Sequence, residues 1–81
     1  MTARVYVSMK PTVLDPQGQT IRASLNSHGH TSITGVRQGK YFELNLADGT
    51  DKTKAAAELE QISREVLSNP VIEEYRIEII D

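Results

Sequence analysis

The chain has 81 residues, 38% of them hydrophobic, with one Phe, three Tyr and no Trp, which bounds it to a single small domain, residues 1–81, with a thin aliphatic core. A domain of this size buries only about 60–65% of its unfolded surface, so association with another chain is expected before any motif is considered. A net charge of −2 from nine basic and eleven acidic residues argues against a nucleic-acid binder, and the lack of Cys excludes disulfides, thiolate catalysis and Cys-based zinc sites together.

The first residues carry no signal-peptide h-region and no apolar run approaches the ~20 residues of a membrane span, so a cytoplasmic protein is expected, with no membrane partner. Val5, Val7 and Met9 alternate with Tyr6, Ser8 and Lys10, the period of a strand with one buried face. Lys10-Pro11 stops that strand. Asp15 then offers a carboxylate at an N-cap, and Pro16 suits the first helical position because its missing N–H has no partner there anyway. Ile21 and Leu25, with Ala23 or Ser24 beside them, form a short apolar stripe, so this helix should pack by one narrow edge. His28-Gly29 closes it, glycine being the usual residue in the left-handed position after a helix.

Ile33 to Gln38 reads as a second strand in which Gly35 shifts the alternation and marks a bulge. Gln38-Gly39-Lys40 is a tight-turn signal leading into a third strand, with Phe42, Leu44 and Leu46 on one face and Tyr41, Glu43 and Asn45 on the other; strand, turn and strand make a hairpin. Asp48-Gly49-Thr50-Asp51 supplies a turn and N-cap candidates. Ala55, Leu59, Ile62 and Val66 follow at spacings of four, three and four, the strongest helical stripe in the chain. Ser68-Asn69-Pro70 ends that helix, and Tyr75, Ile77 and Ile79 line one face of a last strand, with Arg76 and Glu78 on the other.

The order βαββαβ predicts an α+β, ferredoxin-like two-layer sandwich, with two helices on one face of a largely antiparallel four-stranded sheet. The other sheet face, with Tyr6, Tyr41, Glu43, Asn45, Arg76 and Ile80, is expected to be covered by another subunit.

Catalysis has no visible home. His28-x-His30 is the one histidine pair, without a Cys or a nearby carboxylate in sequence; it reads as a histidine at a helix C-terminus and another in the next loop. Arg37-Gln38-Gly39-Lys40-Tyr41 puts two cations around a turn, either a solvated tip or a surface for docking another protein. Its glycine leads into a strand, whereas phosphate recognition needs a glycine-rich loop entering a helix. Glu73 and Glu74 are adjacent on a strand, so they point to opposite sides and cannot converge as an acid/base pair. No serine has a histidine at a motif spacing.

Three segments in order, Lys10-Pro-x-Val-Leu-Asp-Pro-Gln-Gly18, Gly35-Val-Arg-x-Gly-Lys-Tyr41 with Glu43, and Asn69-Pro-Val-Ile-Glu-x-Tyr75, resemble the signature segments of PurS, the small subunit of phosphoribosylformylglycinamidine synthase in de novo purine (IMP) biosynthesis. The resemblance implies a non-catalytic subunit with no cofactor or metal of its own, in a ligase complex that uses ATP and Mg. It implies bridging between the PurL synthetase and the PurQ glutaminase, which supplies ammonia, and self-association as a dimer, or a dimer of dimers, with sheets joined. It makes Asp15, Arg37, Lys40, Tyr41 and Asn69 candidates for subunit docking, and Pro11, Pro16, Gly18, Gly39 and Pro70 candidates for shaping the backbone.

Two rival functions share the topology. An acylphosphatase-like hydrolase needs an arginine in an anion-cradling loop after the first strand, but that loop, Pro11 to Pro16, has two prolines and no arginine. A free-standing ligand-sensing module is the other; an RNA-binding module is disfavoured because the open face has at most two aromatics.

Overall fold

The computed structural model describes residues 1–80. Strand β1 (Thr2–Met9) is central in a three-stranded sheet, between β2 (Gly39–Asn45) and β3 (Glu73–Ile80), antiparallel to both. The register sets Val5 beside Phe42 and Ile77, and Tyr6 beside Tyr41 and Arg76. Ala3, Val5 and Val7 therefore face one side and are fully buried, while Arg4, Tyr6 and Ser8 face the other, as the period of two requires.

Helix α2 (Lys52–Ile62) covers the apolar side. Asp51 caps it, its carboxylate accepting from the Thr53 N–H, and Ala55 and Leu59 complete the core with the three β1 residues. Tyr75 ties β3 to this helix: its hydroxyl donates to Glu60 Oε1 at 2.6 Å. That hydrogen bond to a carboxylate pushes the phenol pKa above its ordinary value.

The stripe expected to run on to Val66 does not. After Ile62 the helix widens into a π-turn, Ser63–Leu67, whose wider i→i+5 loops displace the side chains that follow. Ser63 is buried in the next place after Ala55 and Leu59, and Val66 is 74% exposed. The Ser68 hydroxyl closes the turn by donating to the Ser63 carbonyl at 2.6 Å.

The first helix, α1 (Pro16–Ser27), begins as its sequence indicates, with Asp15 at the N-cap and Pro16 at N1, and ends at His28 before Gly29 at φ 96°. Its packing differs from expectation. It makes little contact with the sheet, and Gly18 is its one buried residue. The two helices thus do not share one sheet face: α2 covers it alone, and α1 stands off as an arm.

The expected strand from Ile33 to Gln38 is likewise absent from the sheet, and with it the hairpin and its turn at Gln38-Gly39-Lys40. The α+β class holds, but with three strands in the order βαβαβ. The physical reason lies in what the segment touches. It returns along α1 so closely that a Cβ on Gly18 would lie 2.3 Å from the Val36 carbonyl oxygen, and its end is held by side chains of Asp15 and Glu74 rather than by a strand. No helix among the described residues is long and apolar enough to cross a membrane.

Candidate functional site

The three sequence segments meet at one end of the sheet, where β1 ends and β2 and β3 begin. A groove of about 390 Å³ lies there, lined by Met9, Asp15, Gln17, Gln38, Lys40 and Glu73 among others.

Asp15 holds two segments together. Its Oδ1 accepts from the Gly18 N–H, closing the first turn of α1, and its Oδ2 accepts from the Gln38 N–H, each at 3.0 Å. The chain at Gly18 must be bare for this approach, because a Cβ would also stand 2.8 Å from Asp15 Oδ2. The Gly18 and Gln38 N–H groups, in that order, hold the Asp15 carboxyl below its ordinary value of 3.8, with smaller help from the Gln17 N–H and the Arg37 charge against a desolvation effect of opposite sign.

The sign of the pH dependence follows. A carboxylate whose pKa is depressed on folding stabilises the fold above the unfolded pKa, and that contribution disappears as pH falls through the lower folded value. Below pH 3.8, protonation is expected to release the segment around Gln38 from the start of α1. In an NMR pH titration the Gly18 and Gln38 amide signals should move together, with one apparent pKa below 3.8. An Asp15→Asn variant should abolish that shared titration.

Arg37 is not at a solvated tip. Its Nη2 donates to the Met9 carbonyl, to Ser8 Oγ at 3.4 Å and to Glu74 Oε1 at 3.2 Å, so it bridges the ends of β1 and β3. Lys40 Nζ is 3.9 Å from Glu73 Oε2, and Glu73 Oε1 accepts from the Asn69 N–H at 2.7 Å. Asn69 in turn caps the bend into β3: its Oδ1 accepts from the Val71 N–H at 3.1 Å, and its carbonyl from the N–H groups of Ile72 and Glu73. Asp15, Arg37, Lys40 and Asn69 thus gather in one polar lattice.

The glycines and prolines sit within it. Pro11 lies in a turn closed by the Val13 N–H donating to the Lys10 carbonyl, and Pro70 in the bend after Asn69. A Cβ on Gly39 would approach the Val7 carbonyl oxygen to 2.4 Å.

Tyr41 stands apart, on the open sheet face. Its ring stacks on Tyr6 with centroids 5.7 Å apart, and the Arg76 guanidinium lies 4.3 Å from the Tyr6 ring centre on the same face. Arg4 and Arg76 both pair with Glu78, at 3.7 and 3.8 Å. Such exposed pairs contribute little stability singly, but the face they make is mixed in charge and carries an aromatic row.

Glu73 and Glu74, set aside as an acid/base pair, turn out to be the partners of Lys40 and Arg37. As the strand pleat requires, they serve opposite sides: Glu73 stands beside Met9 and Glu74 beside Ser8. Ser8, Gln38 and Arg76 also belong to these contacts; of the three, nothing local in the sequence marks Ser8. No cluster of three or more His, Cys, Asp or Glu residues that could hold a metal ion occurs among the described residues.

Comparison with known proteins gives a consistent result. Residues 2–81 match the family described as PurS: Phosphoribosylformylglycinamidine (FGAM) synthase. A phosphoribosylformylglycinamidine synthase subunit PurS from Mycobacterium leprae is 45% identical over 75 residues, covering 93% of this chain and 90% of the relative. The structure of PurS from B. subtilis has a TM-score of 0.84 at 35% identity, covering 99% of this chain and 98% of that one. A chain in the structure of PurLQS from Thermotoga maritima has a TM-score of 0.85 at 30% identity, covering 95% and 93%.

Proposed function

The chain belongs to the PurS family of phosphoribosylformylglycinamidine synthase subunits, and from that premise we propose that it serves the enzyme without itself performing chemistry, by holding the PurL synthetase and the PurQ glutaminase in register. It is a subunit of this synthase, in purine biosynthesis. The enzyme joins nitrogen taken from glutamine to formylglycinamide ribonucleotide at the expense of ATP, with Mg assisting the nucleotide. Ammonia released at one active site must reach the other without loss to water, and a subunit that fixes their separation meets that need. The working location is the cytoplasm, and the chain also associates with itself as a dimer.

The observation that carries this reading is the superposition, over nearly all of both chains, on a chain of the Thermotoga maritima PurLQS structure. The chemistry of the site agrees with it. Asp15, Arg37 and Asn69 spend their polar atoms on the chain's own backbone and on Glu73 and Glu74, an arrangement suited to shaping a surface. Tyr41 is left to face a partner: the residue is 56% exposed, and large exposed aromatics anchor interfaces.

Reconstitution tests the role. With PurL, PurQ, ATP and formylglycinamide ribonucleotide, leaving out this chain is expected to remove most of the glutamine-dependent synthesis and to spare synthesis from added ammonia. An unchanged glutamine-dependent rate without the chain would remove the bridging role. Tyr41→Ser is expected to weaken assembly measured by analytical ultracentrifugation, with the fold unaltered by circular dichroism; assembly of wild-type strength would place the partner elsewhere.

A further inference from the structure

We propose that the end of α2 is a two-register switch, in which the π-turn Ser63–Leu67 interconverts with an ordinary α-turn that brings Val66 inward in place of Leu67. The inference concerns this chain alone and does not rest on PurL, PurQ or self-association.

Two rows of side chains compete for the end of this helix. Both begin with Ala55 and Leu59, which are buried. In an unbroken α-helix the row continues through Ile62 and Val66, because the seven residues from Leu59 to Val66 make nearly two turns of about 3.6 residues each. A π-turn takes up one residue more and hands the row to Ser63 and Leu67, at steps of four. The second row is the one observed: Ser63 is buried, Leu67 half-buried and Val66 exposed.

That register carries two defects. Ser63 Oγ is buried with no hydrogen-bond partner among the described residues, and a buried hydroxyl left unpaired is costly. Val66 meanwhile leaves its apolar side chain in water. An α-turn corrects both. It shifts the row back to Ile62 and Val66 and leaves Ser63, roughly 100° round the helix from Ile62, at the flank where its hydroxyl reaches water. What it gives up is the burial of Leu67 and the bond from the Ser68 hydroxyl to the Ser63 carbonyl. One aliphatic side chain is exchanged for another, and one hydrogen bond for one orphan hydroxyl. Terms so closely matched leave the π-turn as the ground state and the α-turn as a minor state, in the range of about 0.1–10% of molecules.

The backbone permits the exchange. Ile62, at φ −61° and ψ −44°, and Ser63, at φ −61° and ψ −43°, already have ordinary α-helical values, so α2 before them need not move. Ser68 is extended, at φ −132° and ψ 163°, and takes up the one-residue difference before the bend at Asn69. The switch changes what the end of α2 shows to solvent: Val66 in one register, Leu67 and the Ser63 hydroxyl in the other.

Relaxation dispersion on the full-length chain, read at ¹⁵N and ¹³Cα, tests this. Residues 64–68 are expected to share one exchange rate, with minor-state Cα shifts that remain helical. Leu67→Ala, which weakens the observed register, should raise the minor population about tenfold. Val66→Ser changes a residue that already faces water in the ground state, so it should lower the minor population by about threefold or more with the circular dichroism of the fold retained. Random-coil minor-state shifts, or a minor population that Val66→Ser leaves unchanged, would mean simple fraying of the helix end and overturn the switch. Flat profiles in both the wild type and Leu67→Ala overturn it as well.

Discussion

Leu59→Ala is expected to cost about 2–5 kcal/mol, the range for deleting a buried leucine side chain and leaving a cavity. Leu59 is among the largest fully buried side chains of the chain, 1% exposed, and joins α2 to the β1 residues Val5 and Val7 in the core. A domain of this length has roughly 4–12 kcal/mol of stability in all, so one substitution removes a large part of it. At about 4–8 °C per kcal/mol for a domain of this size, the thermal midpoint should fall by roughly 8 °C or more. Val66→Ala, at another position of the same sequence stripe but 74% exposed, should change stability by less than about 0.5 kcal/mol. Paired urea melts decide the matter: comparable losses for the two would mean that α2 continues past Ile62 without the π-turn.

The second large effect is expected at Gly18, and it should be local. In an open helix, alanine in place of glycine stabilises by about 1 kcal/mol. Here the new Cβ would lie 2.3 Å from a backbone oxygen of Val36, a distance no rotamer change can relieve, and 2.8 Å from Asp15 Oδ2. The returning segment must move away, the Gln38 N–H loses its carboxylate, and the overpacking cost of roughly 1–3 kcal/mol outweighs the gain in helix propensity. Gly18→Ala should therefore raise hydrogen exchange at the Gln38 amide by about tenfold or more while leaving Val5 and Val7 protected. Slower exchange at Gln38 than in wild type would show that helix propensity wins.

The sequence made β1, both N-caps, the end of α1 and the start of β3 legible, because each rests on chemistry within a few residues. Asp15-Pro16 is such a case, since the cap and the first helical position are adjacent. Ile33 to Gln38 misled for the opposite reason. Its alternation is that of a strand, but a strand needs a neighbour, and the Gly18 surface and the Asp15 carboxylate take this segment instead. The π-turn has no local signature in Ser63-Arg64-Glu65-Val66-Leu67. Arg37 was picked out by its motif, although its grip on Met9 and Glu74, 28 and 37 residues away, could not be read from spacing.

The division of Glu73 and Glu74 across β3 bears on fidelity more than on strength. Suppose β3 docked one residue out of place. If Glu74 moved beside Met9, Tyr75 would come beside Ser8 and Arg37 would face no carboxylate. If Ile72 moved there instead, Lys40 would lose its partner. Either slip also turns Tyr75, Ile77 and Ile79 to the open face, and that apolar loss supplies most of the discrimination. The acidic doublet adds a key with two teeth, each cut for a different cation, so that a misplaced strand fails at a different tooth according to the direction of its error.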